Sequence, residues 1–465
     1  MQTSPNSETF SHSAPTPPAP RRRRRSGFFP LISLAALALA CLAMLAFALP
    51  GCNRRVDPNA PVELRFWYAW SGYEGKFLQS LVDEFNATHP HIHVQGSFYN
   101  IGDKLLASIA GGSPPDIVTV WEFMLTTMGE SGAFFPLEDY VTSAGLTRDS
   151  YLPNLYDYGT YGKHRWGVPS AMNALAIFYN TKLVRDAGLD PAQYPKTMAE
   201  LAEWAKKLTL YDERGIMRQL GFSPSATPVY FWNFGGNYFD TENKRFTLDD
   251  PGCIRAMEWM ASVHKSSGIV NVRRFSAGFG KLDSPLHPLA QGKMALREDG
   301  QWLIKILAEY APDLDYGVFP FPPEKAGDTA VTRVDSSFWA IPYASKHPDE
   351  AWEFLSWLIA PEQSARFCFA LRNIPPLHAS VNHPAFAEAR KDPRFDFFVR
   401  EVEEGRARTQ PAMPVGQQFQ EKLEQGQDVV WGGSITPKAF LENLNMDMNR
   451  QLDRETRMLG SGDDL

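Results

Sequence analysis

Aromatic side chains recur where strand-like runs end, and each group stands beside residues that hydrogen-bond. Tyr68 and Trp70 precede Ser71, and Trp121 precedes Glu122. Thr227 leads into Tyr230 and Trp232, Asp299 lies just before Trp302, and Arg333, Asp335 and Ser336 run up to Trp339. Flat apolar rings edged by carboxylates, amides and guanidinium groups suit a sugar, whose axial C–H groups form an apolar face and whose hydroxyls form a polar rim. Any one of these tryptophans is more simply a core residue; the set at loop positions points to a ligand. Other chemistries lack their motifs. No phosphate loop, dinucleotide glycine pattern, His-Glu-x-x-His or nucleophile elbow occurs in a suitable strand and helix context. Gly278-Phe279-Gly280 is too short to count, and no spacing of Cys or His suggests a metal. No cofactor is expected. Glu122 and Asp299 are the two carboxylates that an extracellular glycosidase would set across a cleft, roughly 5 to 10 Å apart; a mobile cleft holds such a pair poorly, so binding without chemistry is the favoured reading.

The elements that must position these residues alternate strand with helix. Val62-Glu63-Leu64-Arg65-Phe66 alternates apolar and polar residues, Phe77, Leu81 and Phe85 share a helical face, and a second strand is expected over His91 to Phe98. The Pro114-Pro115 turn leads into Asp116-Ile117-Val118-Thr119-Val120, a short apolar run suited to a buried parallel strand. Thr197-Met198-Ala199-Glu200 has capping-box spacing before the stripe Leu201, Trp204, Ala205 and Leu208. Further helices are expected over Asp249 to Lys265, from Pro348 with Ala351, Phe354, Leu355 and Leu358 on one face, and over Lys438 to Leu452. The pattern is that of an α/β sheet.

Ahead of this body stand five arginines from Arg21 to Arg25, an apolar run from Gly27 to Leu49, and Leu49-Pro50-Gly51-Cys52. A charged start, an apolar middle and a small residue before a cysteine look like a bacterial lipoprotein signal, with Cys52 acylated as the new first residue. An uncleaved anchor is the alternative, since about 20 apolar residues span a bilayer. The expected organisation is a disordered basic region over 1–26, the signal over 27–52, a tether over 53–61 and a flexible tail over 456–465. Residues 1–51 hold the five arginines and Glu8, so the remainder carries 41 basic and 52 acidic residues, a net charge of −11 against −7 for all 465 residues. So acidic a body argues against nucleic acid as a partner. Its length suits two domains. Cys253 and Cys368 are far apart in helical stretches and read as packed thiols.

The order of segments resembles the extracellular solute-binding proteins, family 1, the group that includes maltose-binding protein. The residues carrying the resemblance are Phe66 to Gly72, Gly111-Gly112-Ser113-Pro114-Pro115-Asp116-Ile117, Tyr179-Asn180-Thr181-Lys182-Leu183 with Ala187-Gly188-Leu189, and Pro195-Lys196-Thr197. Gly235-Gly236-Asn237, Gly292-Lys293-Met294-Ala295-Leu296 with Gly300-Gln301-Trp302, and Trp352 to Leu358 continue it. The resemblance implies a two-lobed periplasmic-binding-protein type II fold with the ligand in a cleft between lobes: 62–170 with 337–373 as lobe 1, and 174–334 with 375–455 as lobe 2. The hinge would be made by crossings near Pro169 to Ala174, Val334 to Phe338 and Pro375-Pro376. It also implies a monomeric, lipid-anchored component of an ABC importer that captures a sugar or oligosaccharide for membrane permease subunits; a sensor that signals to a membrane partner is the alternative. Carried over residue by residue, the cleft contacts would be Tyr68, Trp70, Ser71, Trp121, Glu122, Ser170 and Asn173, then Thr227, Tyr230, Trp232, Asp299, Trp302, Asp335, Ser336 and Trp339. Asn173 stands where the family's maltose binder has a carboxylate, which implies a different hydrogen-bond pattern.

Overall fold

Seven residues into the folded body, alternation has already set the first strand: in Val62–Tyr68 (β1), Leu64, Phe66 and Tyr68 point inward and Glu63 and Arg65 outward. The computed structural model describes residues 60–279 and 284–460. Cys52, the signal over 27–52, the 1–26 region and nearly all of the tether lie outside the described residues, as do residues 461–465 of the tail. Residues from Pro61 onward form one compact unit.

Its large sheet adds Ile92–Phe98 (β2), Ile117–Trp121 (β3), Val168–Asn180 (β4), Leu296–Gly300 (β5), Tyr316–Phe319 (β6), Thr332–Ala340 (β7) and Ala407–Thr409 (β8). The main strand order is β5-β4-β7-β3-β1-β2, with β6 paired to β4 and β8 to β7. β1 pairs in parallel with β2, from Val62 opposite Ile92 to Tyr68 opposite Phe98, and with β3 on its other side. Ile117 to Val120 are all buried, as a central strand covered on both faces requires. The long β4 carries the architecture across the molecule. Its first half, through Ala174, pairs with β7, while Leu175 to Tyr179 pair with β5.

Two large apolar cores result, with a small third cluster of Met217, Leu220, Val272 and Met294 among the described residues. One gathers β1 to β3, the Gly72–Thr88, Pro348–Leu358 and Pro361–Leu371 helices and the region of Phe386, Phe395 and Phe398. The other gathers the Met198–Lys207, Pro228–Asn233, Pro251–Ser267, Gly416–Trp431 and Pro437–Gly460 helices. On β4, Ile177 faces the second core and Phe178 the first, the two-residue period of a strand with both faces covered. Residues 377–407, expected in lobe 2, thus supply Leu377, Val381, Phe395, Phe398 and Val402 to the core that β1 begins.

The expected helices have local causes. Thr197 Oγ1 accepts from Glu200 N at 3.2 Å, and Leu201 and Ala205 are fully buried one turn apart. Pro348 opens its helix at N1, where its missing N–H is not needed, and Ala351, Phe354, Leu355 and Leu358 are fully buried. Cys253 and Cys368 are buried free thiols.

Candidate functional site

Where β4 crosses to β7, side chains of the expected cleft bind one another. Glu122 opens the Glu122–Glu130 helix directly after β3. Its carboxylate accepts from Arg333 Nη2 at 3.0 Å and from Ser336 N at 3.2 Å. Arg333 also lies 3.8 Å from Asp335 Oδ2, Asp335 Oδ1 accepts from Asn173 Nδ2 at 2.9 Å, and Asn173 Oδ1 accepts from Gln301 Nε2 at 3.2 Å. Gln301 Oε1 in turn accepts from Ala174 N at 2.9 Å, which ties the belt to the crossing strand. Ser170 donates to Ser337 O, and Ser336 Oγ donates to Ala171 O, each at 2.9 Å. The Glu122 and Arg333 side chains are only 5% and 14% exposed. Burial drives the Glu122 carboxyl well above the usual carboxylate range, Arg333 pulls it back, and Asp335 adds to the rise. Arg333 stays a cation, held so by Glu122 and Asp335 against its own burial.

The aromatic candidates are dispersed. Tyr68 and Trp70 are buried, Trp70 edge-on to Phe367 at 5.1 Å. Trp339 is 1% exposed, 5.7 Å from the same Phe367, with no partner for its indole N–H among the described residues. Tyr230 and Trp232, expected in a loop, belong to the Pro228–Asn233 helix, which Thr227 and Pro228 start and whose residues are all buried. The Tyr230 hydroxyl donates to Glu298. Asp299 is buried and accepts from Arg297 Nε at 2.6 Å, so Glu122 and Asp299 are each held by an arginine of their own. Trp302 is half-buried and folds back over Gly300, where a Cβ would fall 1.8 Å from the ring. Ser71, at the start of the Gly72–Thr88 helix, and Trp121 are exposed.

Open space lies beside the belt, between residues of the two cores. A narrow cleft, with room for about one water, is lined by Glu122, Phe123, Tyr158, Phe338, Gln410 and Met413. It shares Tyr158, Gln410, Pro411 and Ala412 with a pocket of about 300 Å³. From the first-core side come Asn154, Asp157, Tyr158, Thr160, Tyr161 and Gly162, from the second-core side Phe239, Thr241 and Lys244, and Thr409 to Ala412 run between Ala407 of the first core and Met413 of the second. That volume is at the lower end of small-ligand pockets. Tyr158 Oη, Thr160 Oγ1 and Gln410 Oε1 are buried here with no hydrogen-bond partner among the described residues. Buried polar atoms are nearly always satisfied, so three orphans among the residues of one cavity call for a partner, a water or a polar solute, from outside the described residues. Apart from Glu122, the expected contacts do not line this space. The aromatic and Gly-rich run Tyr158-Gly159-Thr160-Tyr161-Gly162 was a legible signal for part of it; Gln410 carried none.

Residues 69–365 match the family of bacterial extracellular solute-binding proteins. This chain belongs to that family. As such it is a solute-binding component of a membrane importer, and the family is one of binding proteins rather than enzymes. This solute-binding protein is 24% identical over 434 residues to the sn-glycerol-3-phosphate-binding periplasmic protein UgpB of Pectobacterium atrosepticum, covering 86% of this chain and 93% of that one. It is 27% identical over 363 residues to an uncharacterized lipoprotein of Streptomyces antibioticus, covering 75% and 78%. Among solved structures, CpMnBP1 with mannobiose bound superposes with a TM-score of 0.74 at 28% identity, over 83% of this chain and 99% of that one. UgpB from Mycobacterium tuberculosis in complex with glycerophosphocholine shares the fold, with a TM-score of 0.67 at 21% identity over 85% and 99%.

Proposed function

We propose that this solute-binding protein captures a sugar or oligosaccharide between its lobes and delivers it to the permease subunits of an ABC importer, tethered to the membrane by lipid on Cys52. The carrying observation is a cavity lined from both lobes in which three lining residues, Tyr158, Thr160 and Gln410, hold buried polar atoms with no partner among the described residues. A sugar hydroxyl donates and accepts at once, so it can complete a carbonyl such as Gln410 Oε1 and a hydroxyl such as Tyr158. The mannobiose complex of CpMnBP1 supports a saccharide; the Streptomyces antibioticus lipoprotein supports the lipid.

The UgpB relatives raise glycerol phosphate as the second reading. A phosphate calls for cations free to meet it. Arg333 is engaged by Glu122 and Asp335, and Asp157 at the pocket is engaged by Arg148 at 2.7 Å. Among the described lining residues of the two cavities, Lys244 is the one cation, against two acidic residues, Glu122 in the narrow cleft and Asp157 in the pocket. That balance favours a neutral polyol.

The test is a thermal shift of the purified chain with mannobiose, other oligosaccharides and sn-glycerol 3-phosphate. A ligand at 100 times its Kd stabilises the native state by about 2.7 kcal/mol. A saccharide is expected to raise the melting temperature and to be recovered intact after prolonged incubation. A rise with glycerol phosphate and none with any saccharide overturns the reading.

A further inference from the structure

Two short hairpins meet at the pocket, each rooted in its own lobe. The first, Thr160–Tyr161 with His164–Arg165, is pinned at its base where His164 Nδ1 meets Glu138 at 2.8 Å and Glu138 accepts from Arg165 N at 3.1 Å. The second, Phe239–Asp240 with Arg245–Phe246, is pinned where Phe246 N donates to Asn449 Oδ1 at 2.9 Å and Arg245 pairs with Asp453 of the Pro437–Gly460 helix. Across the gap, Lys244 Nζ stands 4.9 Å from the centre of the Tyr161 ring, and both residues line the pocket. Asp240 organises the turn that presents this lysine, accepting from Glu242 N and Asn243 N at 3.0 Å each. Lys244 itself has φ of 51°, the left-handed conformation that glycine or asparagine adopts more readily. Strain of that kind persists where surrounding contacts over-determine it.

We propose that Lys244 and Tyr161 form a latch across the mouth of the interlobe pocket, made by a cation on one lobe and a ring on the other, that slows release of the bound solute. The part concerning release rests on the binding reading above; the latch itself does not. Because each hairpin base is anchored within its own lobe, the contact between the tips forms and breaks with the distance between lobes, which ties it to closure. An ammonium over a tyrosine face is held by the ring quadrupole and not by a fixed hydrogen-bond geometry, so it tolerates the sliding of two bodies as they meet.

Hydrogen exchange on the full chain in detergent micelles, without ligand, tests the latch. Lys244→Met is expected to speed exchange across the gap, in residues 160–165, by about two- to fivefold, the range of an exposed cation–ring contact. Tyr161→Leu is expected to do the same to residues 239–246, the double variant to add nothing beyond the larger single effect, and Lys244→Arg to exchange as the parent chain does. Effects confined to the substituted hairpin, additive effects, or an Arg variant that behaves like the Met variant overturn the latch. Stopped-flow dissociation of mannobiose should then quicken by the same factor in Lys244→Met, and an unchanged rate overturns the release role. Failure of mannobiose to bind the parent chain strikes the saccharide reading and leaves the exchange result to judge the latch.

Discussion

The belt at the β4 and β7 crossing and the pocket beside it are both rich in polar side chains, and they differ in where those side chains find partners. In the belt, Glu122, Arg333, Asp335, Asn173 and Gln301 answer one another, with Arg333 Nε the one buried atom of these five side chains that no described residue answers. In the pocket, Tyr158, Thr160 and Gln410 present buried atoms that no described residue answers. A satisfied network specifies geometry and resists displacement, whereas an orphaned group lowers its free energy only when something binds. Polar side chains therefore serve as scaffold in one place and, on the proposed function, as recognition surface in the other.

Five substitutions separate these roles. The largest effect is expected in the belt. Glu122→Leu leaves the Arg333 guanidinium buried with Asp335 alone and should cost about 3–5 kcal/mol in urea denaturation, while Glu122→Leu with Arg333→Met should recover most of it. A loss below about 1 kcal/mol for the single variant means that the belt is not a coupled unit.

The pH dependence sharpens the same point. The folded Glu122 pKa lies above its unfolded value, so its proton stabilises the fold fully below the unfolded pKa, and that contribution is lost as pH rises through the folded pKa. Denaturation midpoints should fall with rising pH above the usual carboxylate range more steeply in the parent chain than in Glu122→Gln. Parallel curves would locate the titration elsewhere.

In the pocket the sign reverses. Tyr158→Phe removes an unsatisfied hydroxyl, so stability should hold or rise slightly, while affinity for the best-binding saccharide, read by calorimetry, should weaken about tenfold. Lost stability with intact affinity would make Tyr158 scaffold. The smallest effect on the fold is expected at Trp121, 37% exposed beside the belt: Trp121→Ala should stay within about 0.5 kcal/mol. A change in saccharide affinity there would show that the ligand reaches beyond the pocket.

Local signals along the chain were sufficient for the elements. Alternation in β1, the Thr197 cap, Pro348 at a helix start and the apolar run of β3 each act over a few residues, so their outcome is legible where they stand. Glu122, directly after β3, was legible for the same reason. The contacts across the molecule were not. Whether Trp70 and Trp339 meet a ligand or Phe367 depends on a helix far along the chain, and residues 377–407 joined the first core because the far face of β4, at Phe178, needed cover. Sequence pattern and composition by themselves determined that the chain has a sheet of alternating strands and helices, an acidic body and aromatic residues suited to polar solutes. Only tertiary structure decided which polar atoms were consumed by one another and which were left without a partner among the described residues, because hydrogen bonds are satisfied between residues such as Glu122 and Arg333, 211 positions apart, and nothing local records that pairing.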